Sequence, residues 1–292
     1  MENAGVDQLL LKARSSTRKN KINDAKDIYK KILKIFPHNK RAQDGLKNIN
    51  KDFLDLTAIK LKSLFNKGYF LEVANQAEKL TKTNPNYFEF WKFLGLSNIN
   101  LGSFKNAEFG FRMANSLKKD DPYILFNLSA SISKQGRLDE AIYFYRKALI
   151  IKPDYFEAFV NIADILQVQS RLDEAIYFYK KAILLNSNHF HTYHNLGNTL
   201  AKQGKHNDAI ESYKNAITLN PNYFNSYFCI GLTFHEQSNF KSAILYYNKA
   251  ISLKPDFDEA LYMMALALKN SEFKNPNSDL YYNLLRMLEK ET

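Results

Sequence analysis

The chain is short of the residues that would staple it covalently or arm it chemically. One cysteine, Cys229, in 292 residues excludes an internal disulfide and a cysteine-rich metal site. No apolar run approaches the roughly 18 residues of a membrane-crossing helix. The opening residues MENAGVDQLLLKARSSTRKNK lack the apolar centre and cleavage site of a secretory leader. No membrane partner and a cytoplasmic, reducing location are therefore expected. No phosphate-cradling glycine loop, dinucleotide fingerprint or Ser, His and Asp arrangement occurs, and Cys229 has no activating neighbour in sequence. The expectation is a non-enzymatic chain with no catalytic residues, no cofactor and no metal.

Acidic residues are scarce at one end. Residues 1–53 hold 13 Lys or Arg against 6 Asp or Glu, so this segment carries +7 of the net +11. Such a lobe attracts nucleic acid or an acidic partner. Solvated lysine is the simpler reading, because no groove-reading helix motif, zinc finger or RNA-binding aromatic pair accompanies the charge. Nucleic acid is not expected as a partner. Steep loss of binding with added salt is the behaviour that would reinstate it.

What the sequence does have is repetition. RLDEAIYFYRKALI at residues 137–150 returns as RLDEAIYFYKKAIL at 171–184, with 11 of 14 letters unchanged at a spacing of 34. The spacing continues outward through Ala107, Ala141, Ala175, Ala209 and Ala243, and again through Ala114, Ala148, Ala182, Ala216 and Ala250. Between the two series sit Phe111, Tyr145, Tyr179, Tyr213 and Tyr247. Steps of four and then three lie on one helix face.

Upstream of each such helix the pattern predicts another, carrying a small residue at Gly95, Ser129, Ala163, Gly197 and Gly231. Turn residues Gly102, Gly136, Ser170, Gly204 and Ser238 separate the pair, and Pro153, Pro221 and Pro255 close three of the units. Each unit is helix, turn, helix, stop. The small residues are expected to let two helix backbones approach while the aromatic fills the space beside them.

This pattern resembles the tetratricopeptide repeat: Trp91, Leu94 and Gly95 match the family's first-helix signature, and Ala107, Phe111 and Ala114 its second. Five regular units fit, at 88–121, 122–155, 156–189, 190–223 and 224–257, together spanning 88–257. Residues 1–53 read as a basic N-terminal region, with a unit at 6–39 that keeps Ala25, Tyr29 and Pro37 and an insertion, KRAQDGLKNINKDF, expected to add a short helix or a bend. The unit at 54–87 is degenerate, with Val73 and Ala77 where alanine and an aromatic belong. At 258–292, DEALYMMALALKN fits a first helix, but Glu272 and Asn277 break the pattern, so SDLYYNLLRMLEK is read as an irregular cap. The resemblance implies an all-α, right-handed superhelical solenoid of antiparallel helix pairs, whose neighbours must stack because one hairpin cannot bury its own apolar face.

At about 100° per residue, first-helix unit positions 4, 7, 8 and 11 form the packed face, and 2, 5, 6, 9, 12 and 13 lie opposite. In the family that opposite side lines a concave groove. Position 6 reads Asn127, Asn161 and Asn195, a row similar to the asparagine ladder in the superhelix of O-linked N-acetylglucosamine transferases, where such side chains hold peptide main chain. Phe93 and Cys229 end the row. Carboxamides suit this task because each carries both donor and acceptor.

The other groove positions vary: Tyr123, Glu157, His191 and Asn225 at position 2, Phe126, Val160, His194 and Phe228 at position 5, Asp164 and Asn198 at position 9. Phe126 and Phe228 are expected as exposed anchors for apolar side chains of a ligand. His189, His191 and His194 are read as a polar, pH-responsive wall, with metal binding through Asp164 or His235 as the less favoured alternative. The pairs Asp139 with Glu140 and Asp173 with Glu174 are read as charges facing helix dipoles, not as catalytic carboxylates. Pairs such as Tyr87 with Phe88, Tyr155 with Phe156 and Tyr223 with Phe224 are read as packing between repeats. The expected function is a scaffold that binds a peptide or extended protein segment. The alternative is the substrate-recruiting arm of a glycosyltransferase or sulfotransferase whose catalytic domain lies outside this sequence.

Overall fold

A computed structural model describes residues 2–19 and 21–271. Among the described residues every regular element is an α-helix. The expected cap SDLYYNLLRMLEK, with Glu272 and Asn277, lies outside them. The chain divides into two compact units, residues 1–119 and residues 120 onward.

The first unit contains α1 (Glu2–Arg18), α2 (Ile22–Ile35), α3 (Lys40–Asn66), α4 (Phe70–Thr83), α5 (Phe88–Asn100) and α6 (Phe104–Leu117). α1, α2 and the start of α3 close around Leu10, Ala13, Ala25, Tyr29, Ile32, Ala42 and Ile49. The insertion KRAQDGLKNINKDF is helical but not a separate helix. It runs without interruption into the first helix of the degenerate repeat, giving a 27-residue α3. Asn39 caps that helix by accepting from the Ala42 N–H at 3.0 Å. No proline or turn glycine follows before Asn66, so nothing stops the helix. Gly45 is tolerated inside it because the Tyr29 ring lies against its backbone, where a Cβ would sit.

The second unit contains α7 (Pro122–Ser133), α8 (Leu138–Ile151), α9 (Phe156–Val168), α10 (Leu172–Leu185), α11 (Phe190–Lys202), α12 (His206–Leu219), α13 (Phe224–Glu236), α14 (Phe240–Leu253) and α15 (Asp258–Asn270). Consecutive helices pack in pairs, and the first helices α9, α11, α13 and α15 also touch one another in sequence. Asp139, Glu140, Asp173 and Glu174 occupy the first turns of α8 and α10, at the positive ends of the helix dipoles.

The repeating alanines at 141, 148, 175, 182, 209, 216, 243 and 250 are all fully buried. So are the rings of Tyr145, Tyr179, Tyr213 and Tyr247. With roughly 200 Å² per ring and about 25 cal/mol/Å², each contributes at most about 5 kcal/mol before ordering entropy is subtracted. The small first-helix residue seats the ring: a Cβ on Gly231 would stand 2.6 Å from the Tyr247 ring. At Gly95 the two backbones also approach closely, since a Cβ on Gly110 would lie 2.8 Å from the Gly95 nitrogen.

Neighbouring repeats are also tied by a side-chain device that sequence reading passed over. Gln169 donates to Asp139 at 2.9 Å, Gln203 to Asp173 at 2.6 Å and Gln237 to Asn207 at 3.3 Å, each link spanning 30 residues. The turns share one backbone conformation, with φ of +71°, +81° and +78° at Gly102, Gly136 and Gly204. Ser170 and Ser238 adopt the same region at φ +59°. A side chain there costs roughly 1–2 kcal/mol, partly offset by the greater chain entropy glycine loses on folding. Replacing Ser238 with glycine is therefore expected to stabilise the chain by about 0.5–1 kcal/mol, read as a raised midpoint in thermal or urea unfolding.

Candidate functional site

The candidate site is the side of α7, α9, α11 and α13 turned away from their second helices. Asp121 caps α7 by accepting from the Tyr123 N–H at 3.0 Å, and Pro122 fixes the first turn. Tyr123 is therefore held at the helix start with 47% of its surface exposed. Glu157 and His191, one and two repeats later, are exposed as well.

The position-6 asparagines are half-buried, and each spends one amide N–H on the protein. Asn127 Nδ2 donates to the Tyr123 carbonyl at 2.7 Å, Asn161 to the Tyr145 hydroxyl at 3.0 Å, and Asn195 to Asp164 Oδ1 at 3.1 Å. Among the described residues none donates to the carboxamide oxygen of any of the three. The row is thus oriented from one side and open on the other.

Behind it runs a second row, the tyrosine hydroxyls of the second helices. Tyr179 donates to Asp164, and Tyr213 donates to Asn198 Oδ1 at 2.8 Å. Burial raises the Asp164 carboxyl above its usual range, opposed by the hydrogen bonds from Tyr179 and Asn195. Burial first, then the charge of Asp164 and its hydrogen bond, pushes the Tyr179 phenol up. Asp164 and Asn198 are consequently anchors of the framework and not free groove positions. Gln167 adds a further strut, donating to the Asn195 carbonyl at 3.3 Å and to Thr199 Oγ1 at 2.7 Å.

Tyr247 breaks this second row. Its hydroxyl is buried with no hydrogen-bond partner among the described residues. The sequence supplies the reason: the two positions that serve the other tyrosines are apolar here, with Leu232 where Asp164 and Asn198 stand and Met263 where Asn161 stands.

Position 5 does not belong to the groove. Phe126, expected as an exposed anchor, is half-buried and stacks on Tyr155 at 4.9 Å. Phe228 packs on Phe257 at 4.8 Å and Tyr247 at 5.7 Å. His194 lies 5.1 Å from Tyr223 and is 8% exposed. In all three cases position 5 meets the aromatic that closes its own repeat. Tyr155, Tyr223 and Phe257 thus pack against the first helix of the unit they close, whereas the sequence reading has junction aromatics packing between repeats.

The histidines separate. His194 Nδ1 lies 2.9 Å from Ser226 Oγ and its Nε2 3.2 Å from Asn198 Nδ2, so both ring nitrogens are engaged. Burial, then the nearby His191, lowers its pKa to about 4, which makes it a neutral core residue and not a pH-responsive wall. His189 bonds to Thr192 Oγ1 at 2.8 Å, while His191 remains exposed. Among the described residues no three of His, Cys, Asp and Glu come together as metal ligands. Burial pushes the Cys229 thiol up to about 11, so it stays protonated at neutral pH. Among the described residues no helix is long and apolar enough to cross a membrane.

Helix pairs of one length, stacked through an aromatic seated on a small residue, define a solenoid of helical-hairpin repeats. Comparison with known proteins gives these hairpins their family. One family model, described as TPR repeat, matches residues 197–238, and two described as tetratricopeptide repeat match 178–211 and both 156–189 and 224–257. Residues 156–257 thus match tetratricopeptide-repeat models throughout.

No curated protein matches the chain at a significant level. Among solved structures, MamA protein is 25% identical with a TM-score of 0.53, covering 58% of this chain and 93% of its own. YrrB, described as a TPR protein with an unusual peptide-binding site, is 19% identical with a TM-score of 0.56, covering 64% of this chain and 97% of its own. The C-terminal part of a TPR repeat-containing protein from Cytophaga hutchinsonii is 16% identical with a TM-score of 0.65, covering 78% and 99%. These likenesses establish an all-α superhelical repeat fold.

Two predictions follow from the hydroxyl row and from His194. Tyr179→Phe removes a hydrogen bond to a buried carboxyl and is expected to cost about 1.5–3 kcal/mol in urea unfolding, whereas Tyr247→Phe removes an unpartnered hydroxyl and is expected to be neutral or stabilising. In the unfolded chain an imidazole takes up its proton near 6.5, whereas folded His194 resists protonation down to about 4. Between those values the unfolded state binds more protons, so His194 makes stability fall as pH falls. His191 and His235 are lowered in the same direction, and Asp164, raised, acts oppositely. His194→Gln is therefore expected to flatten the loss of stability between pH 6.5 and 4 relative to the native chain, whatever its effect at neutral pH.

Proposed function

We propose that the protein is a non-catalytic scaffold that holds an extended peptide or protein segment along the first-helix face of its second unit. The observation that carries this reading is the row Asn127, Asn161, Asn195. Each carboxamide is fixed through one N–H and keeps its oxygen free, one per repeat. An extended peptide offers N–H and C=O groups in alternation, which such a row can meet without reading side chains. Selectivity would come from the flanking groups that differ between repeats, chiefly Tyr123 and His191, with Asp164 and Asn198 holding the frame. The peptide-binding site named for YrrB and the interaction role common to tetratricopeptide repeats support this reading.

The test begins with peptides selected from a random-sequence display library against the folded chain. Affinities are then compared by fluorescence anisotropy between the native protein and an Asn127→Ala, Asn161→Ala, Asn195→Ala triple variant. The expected result is at least tenfold weaker binding under conditions where both proteins are fully folded, with a lowered unfolding midpoint because Asn161 and Asn195 also bond Tyr145 and Asp164. Equal affinity in the two proteins would remove the asparagine row from the site.

A further inference from the structure

The degenerate repeat at 54–87 lacks a pair of aliphatic side chains that the four regular repeats from residue 122 onward carry, and the repeat at 88–121, with Glu108 and Asn115 at those positions, lacks it too. In those four repeats the second helix carries Ile142 with Leu149, Ile176 with Ile183, Ile210 with Ile217, and Ile244 with Ile251, and the last pair packs in one core with Met264 and Ala265 of the next first helix. The corresponding residues of α4 are Ala74 and Thr81. A cavity of about 640 Å³ opens here, walled by α4 and α6 with Trp91, Leu94 and Asn98 of α5 at its lining. All of it lies within the first unit.

The walls state what would fit. Trp91 and Phe109 meet edge to face at 5.6 Å, and Leu71 and Leu101 extend the apolar side of this half-open cavity. Phe109 is 55% exposed, Leu71 63% and Leu101 42%, unusual for large apolar side chains gathered at one place. Three carboxamides, Asn75, Asn98 and Asn106, bring donors and acceptors to the same cavity. The charged residues at its edge answer each other: Lys82 Nζ lies 2.8 Å from Glu78 Oε1. No uncompensated charge among the lining residues calls for an ionic ligand. The volume is within the roughly 300–1,000 Å³ of small-molecule sites.

We propose that this cavity binds a small, neutral, aromatic ligand with a hydrogen-bonding edge, its ring beside Trp91 and Phe109 and its polar edge on the carboxamides. The site is separate from the asparagine row, and neither depends on the other.

Trp91 is the sole tryptophan of the chain, so the cavity carries its own reporter. Prodan, a neutral naphthalene bearing a carbonyl, serves as the probe and accepts energy from tryptophan. Titrated into the full-length protein, it is expected to quench Trp91 saturably. Ala74→Ile with Thr81→Ile, which introduces the aliphatic pair carried by the four repeats from residue 122 onward, is expected to weaken the quench at least tenfold with helicity retained. Leu71→Arg with Phe109→Arg changes only exposed side chains and is expected to do the same, which keeps the test decisive if the filled variant fails to fold. The triple asparagine variant is expected to bind the probe as the native chain does. No saturable quenching of the native chain overturns the proposal, as does undiminished quenching in the folded pocket variants. A cavity that accepts only a side chain of a partner protein would give the first of these results.

Discussion

The structure depends on one contact made again and again, an aromatic ring of a second helix laid on a residue too small to obstruct it. Gly231 beneath Tyr247 and Gly197 beneath Tyr213 show the constraint most plainly, because a single methyl there would stand about one bond length too close to the ring. The seat fixes how far apart the paired helices lie. Because the ring is a tyrosine in four repeats, it also carries a hydroxyl through to the far side of the first helix. Packing and the polar row are therefore two ends of one side chain.

That coupling explains how the candidate site is assembled. Tyr179 reaches Asp164, Asp164 holds Asn195, and Gln167 supports the Asn195 carbonyl. The asparagines face outward because buried groups behind them are satisfied by each other. Where the far-side partners are lost, at Leu232 and Met263, the hydroxyl of Tyr247 remains as an unpaired remnant of the pattern. The packing role of the tyrosine outlives its polar role.

Much of this was legible in the sequence. The alanine and aromatic series at intervals of 34 marked the hairpins, the glycine and serine turns, and the faces of the first helices. Periodicity failed where direction mattered more than register. Position 5 falls on the groove side by angle, yet Phe126, His194 and Phe228 lean toward the aromatic that ends their repeat and are covered by it. The continuity of α3 escaped for a different reason: Gly45 looks like a turn residue until Tyr29 is seen resting on it. The glutamine links were equally readable, since Gln169, Gln203 and Gln237 recur at the same period, but polar residues near a turn drew no attention.

Those links have a bearing on cooperativity. Gln169, Gln203 and Gln237 each reach back 30 residues to the second helix of the previous hairpin. A stack fastened only between nearest neighbours stores its stability in junctions, so one hairpin gains much of its order from having another beside it. Order then spreads along the stack like a zipper, short loop closing upon short loop, with no distant pairing to wait for. The repeat with the weakest junction sets where the zipper pauses.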